Sequence, residues 1–275
     1  MTLQHSSDLQ IQTEYWKKEL TNAPGLIQIP TDFSRSQNQK FTSAVHPFSI
    51  DMKLMEKLVS IEKDRNSDLQ TTLLTAFGLL LLRYSSQDDF VIGVPIGSRS
   101  DNETNSLPDQ LPIRFLFQDE STFDEALSFI NSKINKALEN QVIFDKELIQ
   151  EIKGKGASNP TDLFNVLFKF QSQMSGSSDN SDENTGYDLV LHIQKNDESL
   201  EGTVKYNKEL FAAESIERLE GHYITILSAI AENPQIPVQK VPLLTEEENN
   251  MILNVWNNTQ TNLPKDKCIH HRFEE

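Results

Sequence analysis

The chain has 275 residues, enough for one large domain or two small ones and for a sizeable core. Its 25 basic and 41 acidic residues give a formal charge of -16 at pH 7, which argues against a nucleic-acid or anionic-membrane surface. Cys268 is the single cysteine, so an intrachain disulfide and a cysteine metal cluster are excluded, in keeping with a reducing cytoplasm.

Residues 1–12 show no basic region followed by an apolar one, so no secretory signal is read there. Residues 8–20 predict a short helix with Tyr15 and Trp16 as apolar anchors. Pro24-Gly25 breaks it, and Ile29-Pro30-Thr31-Asp32 continues as an extended arm; 35–40 are polar and loop-like. Residues 45–50 predict a strand. Asp51 then offers an N-cap to a helix carried by Met55, Leu58 and Val59, with a polar face reaching Arg65. Asn66-Ser67 is the next break.

The stretch 71–99 organises the chain. Leu73, Leu74, Ala76, Phe77 and the run Leu79 to Leu82 leave a helix with no polar face, the mark of a buried helix. The run is too short to cross a bilayer, which takes about 20 apolar residues. Beyond Arg83-Tyr84-Ser85-Ser86 and Asp88-Asp89, the β-branched run Phe90-Val91-Ile92-Gly93-Val94 predicts a buried central strand. Pro95 cannot donate to a ladder, so the strand should fray there or lie at an edge. Gly93 and Gly97 let the backbone bend or approach another group closely.

Residues 100–109 are polar and turn-rich, and 111–117 predict a strand. Ser121 is the expected cap of the cleanest amphipathic helix in the chain, with Phe123, Leu127, Ile130, Ile134 and Leu138 at its spacing. A shorter helix, 145–152, and a flexible loop, 153–158, follow. In the strand 164–170 a period of two places Phe164, Val166, Phe168 and Phe170 on one face. Residues 172–186 have almost nothing to bury and should be mobile. Residues 187–193 and 200–207 predict a hairpin pair of strands. Residues 213–232 predict a long helix with Ile216, Leu219, Tyr223, Ile226, Leu227 and Ile230 inward, stopped by Asn233-Pro234. Thr245 and Glu248 form a capping box that starts a helix through Trp256, and Met251, Ile252, Val255 and Trp256 on it should find a partner surface. Residues 257–267 should be extended.

Several phrases resemble, in their shared order, the condensation domains of nonribosomal peptide synthetases. Residues 83–99, RYSSQDDFVIGVPIGSR, are similar to the "RYSGQDD-V-G-P-NR" of that family. Glu14 to Leu20 with Ala23-Pro24 and Pro30-Thr31-Asp32 looks like its "YWK–L–AP–L–PTD". Asp188-Leu189, Gly202, Lys205-Tyr206-Asn207 and Leu210-Phe211 match "DL–L–G–EYN–LF", and 216–222 match "IERL–GH". Weaker copies are 140–145 of "HQDLPFE" and 159–168 of "NPLFQVMF". Residues 237–275 resemble the connector that leads to an adenylation domain.

The resemblance implies an α/β (α+β) fold: a chloramphenicol-acetyltransferase-like C-terminal lobe, a mixed sheet with packed helices. Residues 1–239 would be that lobe and 240–275 the connector. In the family a His-His-x-x-x-Asp-Gly motif on an N-terminal lobe positions or deprotonates the attacking amine; the chain is expected to begin after that lobe. His270-His271 is followed by Arg272-Phe273-Glu274-Glu275 and is not that motif. His46, His192 and His222 are expected to be structural. Glu246 to Glu248 favour a helix start rather than form an acid–base pair. The family's "GFFVNTL-LR" is replaced here by a shortened segment ending Ser106-Leu107-Pro108-Asp109-Gln110, and Gly97-Ser98 stands before Arg99. Both changes count against a working acceptor channel.

No catalytic, cofactor-binding or metal-binding residue is therefore expected, and no cofactor. One reading is a non-catalytic lobe of a synthetase, a structural platform or protein-interaction module before an adenylation domain. The other is the acceptor-side half of a peptide-bond-forming domain completed by a separate or truncated N-terminal lobe. A third, an unrelated hydrolase or transferase, lacks any nucleophile constellation; no G-x-S-x-G occurs. The expected partners are the adenylation domain and, beyond it, a peptidyl carrier domain, an N-terminal lobe or a tailoring enzyme, in the cytoplasm, with no nucleic acid and no membrane.

Overall fold

The computed structural model describes residues 2–35, 41–65, 67–95, 110–118, 120–172, 186–196 and 199–259. The shortened segment before Leu111, most of the stretch 172–186, and the end of the chain with Cys268 and His270-His271 lie outside the described residues. The chain forms two compact units, residues 1–243 and 244–275.

The first unit is built on a six-stranded sheet. Its strands are β1 (Ser43–Ile50), β2 (Asp89–Pro95), β3 (Gln110–Leu116), β4 (Val166–Gln171), β5 (Leu189–Lys195) and β6 (Leu200–Asn207), in the order β1-β6-β5-β4-β2-β3. β4 runs parallel to β2 and β5; the other pairs are antiparallel, so the sheet is mixed. The expected central strand β2 is buried along its middle but stands second from an edge. The outer strand β3 carries Pro112, a position where a missing ladder donor is tolerated.

The helices of this unit are α1 (Thr2–Leu20), α2 (Met52–Arg65), α3 (Leu69–Ser85), α4 (Phe123–Glu139), α5 (Lys146–Lys153) and α6 (Ala213–Glu232). Asp68 caps α3, its carboxylate accepting from Thr71 N at 2.6 Å. Leu73, Leu74, Phe77, Leu79, Leu80 and Leu81 have no measurable exposure. Each such side chain contributes about 1.5–3 kcal/mol relative to an exposed one. One face of the sheet supplies Phe90, Ile92, Phe115, Val166, Phe168, Leu191, Ile193 and Val204, all buried, to the same core. Phe77 of α3 meets Phe168 of β4 and Tyr223 of α6, and the Tyr223 hydroxyl donates to Leu73 O at 3.0 Å.

Two local expectations are corrected. Thr122, not Ser121, caps α4: Thr122 and Glu125 form a capping box, while the Ser121 hydroxyl donates to Gln118 O. Phe164 lies before β4, beyond a short helical turn at Pro160–Asp162, and does not share the face of Val166 and Phe168. Its ring, with Leu167, fills the space over Gly93. A Cβ there would sit 2.2 Å from Phe164 Cε2, so glycine is required by close approach.

On the opposite face, α1 and α5 stand over the β2–β3 end. Arg114 of β3 grips Asp89 with both ends of its fork, at 2.8 and 2.7 Å, and donates to the carbonyls of Glu19 and Thr21. Lys153 at the end of α5 donates to Ala23 O and Pro24 O; burial, then the nearby Arg114, lowers its pKa.

The second unit contains α7 (Glu246–Asn250), capped by the Thr245–Glu248 capping box, and a wider π-helical turn, Met251–Val255. Met251, Ile252, Val255 and Trp256 are exposed in this chain.

Candidate functional site: the second face of the sheet

Strand alternation divides the sheet residues between two faces. Beyond the part under α1 and α5, the face opposite the core carries mostly polar side chains in two lateral rows, the first ending at Pro47 on the edge strand. Register places Lys169 beside His192, His192 beside Thr203 and Thr203 beside Pro47. The next row is Gln171, Gln194, Glu201 and Ser49. Side chains directly opposite on neighbouring strands stand about 4.5–5.5 Å apart at Cβ, so each row is a contiguous surface. Lys169, His192 and Thr203 are half-buried, whereas Pro47 and Ser49 at the edge are exposed.

The arm after α1 fixes this face from one end. Asn165, just before β4, accepts from Ile27 N at 3.1 Å and donates to Ile27 O at 3.1 Å and to Asp188 Oδ2 at 2.6 Å. Arg35 closes the node with a bidentate pair to Asp188 at 3.0 and 2.6 Å, which raises its pKa above the ordinary guanidinium value. Asp188 O accepts from Asn207 N at the end of β6. Asp188 thus ties together the starts of β4 and β5 and the end of β6, through its buried carboxylate to Asn165 and Arg35 and through its backbone carbonyl to Asn207. Farther along the arm, Asp32 accepts from Ala212 N and Ser215 Oγ, both at 2.8 Å, and so caps α6 from a distant segment. The Ala212 N–H, more than the Ser215 hydroxyl, lowers the Asp32 pKa.

The histidines separate by face. His46 sits on β1, its Nε2 2.8 Å from Glu220 of α6, and His222 of α6 has its Nδ1 2.8 Å from the Tyr84 hydroxyl. Both bind structural elements to one another. His192 alone of the three lies on the polar face, in register with Lys169 and Thr203. The sequence signal for this row was the parity of β4: with Val166 and Phe168 inward, Lys169 must point the other way. Which residues would stand beside it depended on pairing register, which no local pattern encodes. Among the described residues, no group of three or more His, Cys, Asp or Glu is placed to hold a metal ion, and no helix is long and apolar enough to cross a membrane.

Residues 2–253 match the family described as Condensation domain. The chain belongs to the condensation-domain family. It is 29% identical over 280 residues to gramicidin S synthase 2 of Brevibacillus brevis, covering 96% of this chain and 6% of that protein. This condensation domain therefore spans only a small fraction of the length of the relative it matches. Its fold is similar to that of a four-domain nonribosomal peptide synthetase bound to AMP and glycine, with a TM-score of 0.76, 19% identity, and 87% of this chain and 20% of that chain covered. It is also similar to the X-domain in complex with OxyB from teicoplanin biosynthesis, with a TM-score of 0.75, 18% identity, and 87% and 56% of the two chains covered. The mixed sheet with packed helices is the chloramphenicol-acetyltransferase-like α/β fold that the resemblance implied.

Proposed function

We infer that this condensation domain acts without catalysing amide formation by its own residues, as a structural platform or protein-interaction module of a nonribosomal peptide synthetase, with 1–239 as the lobe and 240–275 as the connector to an adenylation domain in the cytoplasm. The observation that carries this is chemical. The sequence holds no His-His-x-x-x-Asp-Gly, and its His270-His271 pair runs into Arg272-Phe273-Glu274-Glu275. A general base needs a pocket that positions it, and His46 and His222 are engaged in joining elements of the fold. The X-domain in complex with OxyB supports the interaction reading: a protein that shares this fold over 56% of its chain is there held in a protein complex. The test offers the chain two aminoacyl groups on carrier domains. No amide above background aminolysis is the expected result; product from this chain alone overturns the reading.

The half-buried polar side chains Lys169, His192, Thr203, Gln171 and Gln194 favour a second reading, in which that face is one wall of an acceptor site completed by another lobe. In the same assay, a separate lobe bearing the histidine motif would then restore product. Product only with that lobe supports the second reading over the first.

A further inference from the structure

After α6 the chain does not leave the first unit at once. It is first sewn along the start of α4: Asp124 N donates to Pro234 O and Phe123 N to Ile236 O, both at 3.0 Å, and Val238 N donates to Ser121 O at 2.9 Å. Thr122 and Pro237 form an isolated bridge between those bonds. Past Val238 the grip changes from backbone to side chain. Arg83, in the last turn of α3, donates from Nη1 to Gln239 O at 3.3 Å and to Val241 O at 3.1 Å. Its positive charge also suits the carbonyl end of α3. Beside it lies a cleft of about 330 Å³ between α3 and this segment, lined by Leu82, Arg83, Ser86, Asp88, Phe117 and Val238 among others. Across that gap the guanidinium reaches from helix to segment, while Val238 and Val241 on either side of Gln239 are buried in the core.

We propose that Arg83 is the clamp that fixes where the chain is released from the first unit. With Arg83 in place, Val241 is held buried and Leu243 packs on the core, so release falls after Leu243; Leu244 is already exposed. Without it, the segment beyond Val238 loses its side-chain grip from α3, and the release point moves back toward Val238, by up to five residues. This assignment concerns the first unit and does not depend on whether the domain is catalytic.

Hydrogen exchange on the full chain, read by mass spectrometry, tests it. In the unaltered protein the amides of Val238, Lys240 and Val241 are protected and protection drops beyond Leu243. In Arg83→Leu, exchange across 239–243 accelerates about tenfold or more, the consequence of losing hydrogen bonds from a charged donor. Phe123, Asp124 and Val238 keep their protection. Unchanged exchange at 239–243, or an equal loss at Phe123 and Val238, overturns the clamp. If Arg83→Leu does not fold, Arg83→Lys replaces it, since lysine keeps the charge at the helix end but not the planar fork. Local acceleration at 239–243 then supports the proposal; no acceleration, or acceleration throughout, overturns it.

Discussion

Trp16 and Trp256 occupy opposite environments in one chain. Trp16 of α1 is 1% exposed, its ring edge-on to Tyr15 and Phe144 at 5.1 Å and its Nε1 donating to Asn140 O at 2.6 Å. Trp256, after the helical stretch of the second unit, is 68% exposed. Both have other apolar residues nearby in helical sequence. What differs is the supply of surfaces. Around Trp16, α4, α5 and the chain between them converge, and the indole N–H finds a carbonyl, which a buried tryptophan needs. In the second unit a five-residue α7 and one π-helical turn have no further layer of their own among the described residues. Local pattern can start a helix, as the Thr245–Glu248 capping box does, but burial requires elements brought in from far along the sequence.

The sharpest way to break this contrast is to attack the first unit where it is driest. Leu80→Asp places an uncompensated charge in α3 at a site with no exposure; the cost is more than about 4 kcal/mol, and cooperative thermal unfolding should be lost. An unchanged thermal midpoint would show that α3 is not the core helix. The next effect is at the arm. Arg35→Leu leaves the Asp188 carboxylate, 6% exposed, without its cation. Because Arg35 itself is 56% exposed, the loss should be about 2 kcal/mol, under the roughly 3–5 of a fully buried pair. A denaturant midpoint that does not move would contradict the role given to the node.

A smaller effect, with a pH signature, is predicted at Asp32. Its pKa is lowered in the folded state by the Ala212 N–H and Ser215 hydroxyl. A carboxylate with a lowered folded pKa contributes stability that is present above its unfolded value and lost as pH falls through the folded one. Asp32→Ala should therefore cost about 1 kcal/mol near neutral pH, and the difference from the unaltered protein should vanish below that lowered pKa. A constant difference across the acid range would mean that the cap does not act through the ionised carboxylate.

These residues also mark what the sequence could and could not reveal. The apolar run of α3 and the periodicity of α6 are local, and the helices form where those patterns lie. The condensation-domain phrases carried the family because their order along the chain is itself a sequence property. The misplacements have physical causes. Ser121 and Thr122 are both acceptable caps, and the backbone, extended at Thr122, chose between them. β2 looked central because it is apolar throughout its middle, yet the helices and Phe164 bury it without a central position. The Arg35–Asp188 node spans 153 residues and Asp32–Ala212 spans 180, so no window of sequence holds both partners. The Lys169–His192–Thr203 row needed the register of three strands, two of them joined in parallel.

The contrast between a dry, many-layered first unit and the exposed side chains of Val255 and Trp256 in the second is tested most directly by the two tryptophans. Acrylamide quenching of Trp256→Phe reports Trp16 alone, and the difference from the unaltered protein reports Trp256. The account predicts blue-shifted, quench-resistant emission from Trp16 and emission from Trp256 that is red-shifted and quenched nearly as readily as free indole. Equal quenching of the two, or a Trp256 signal as protected as that of Trp16, would contradict it.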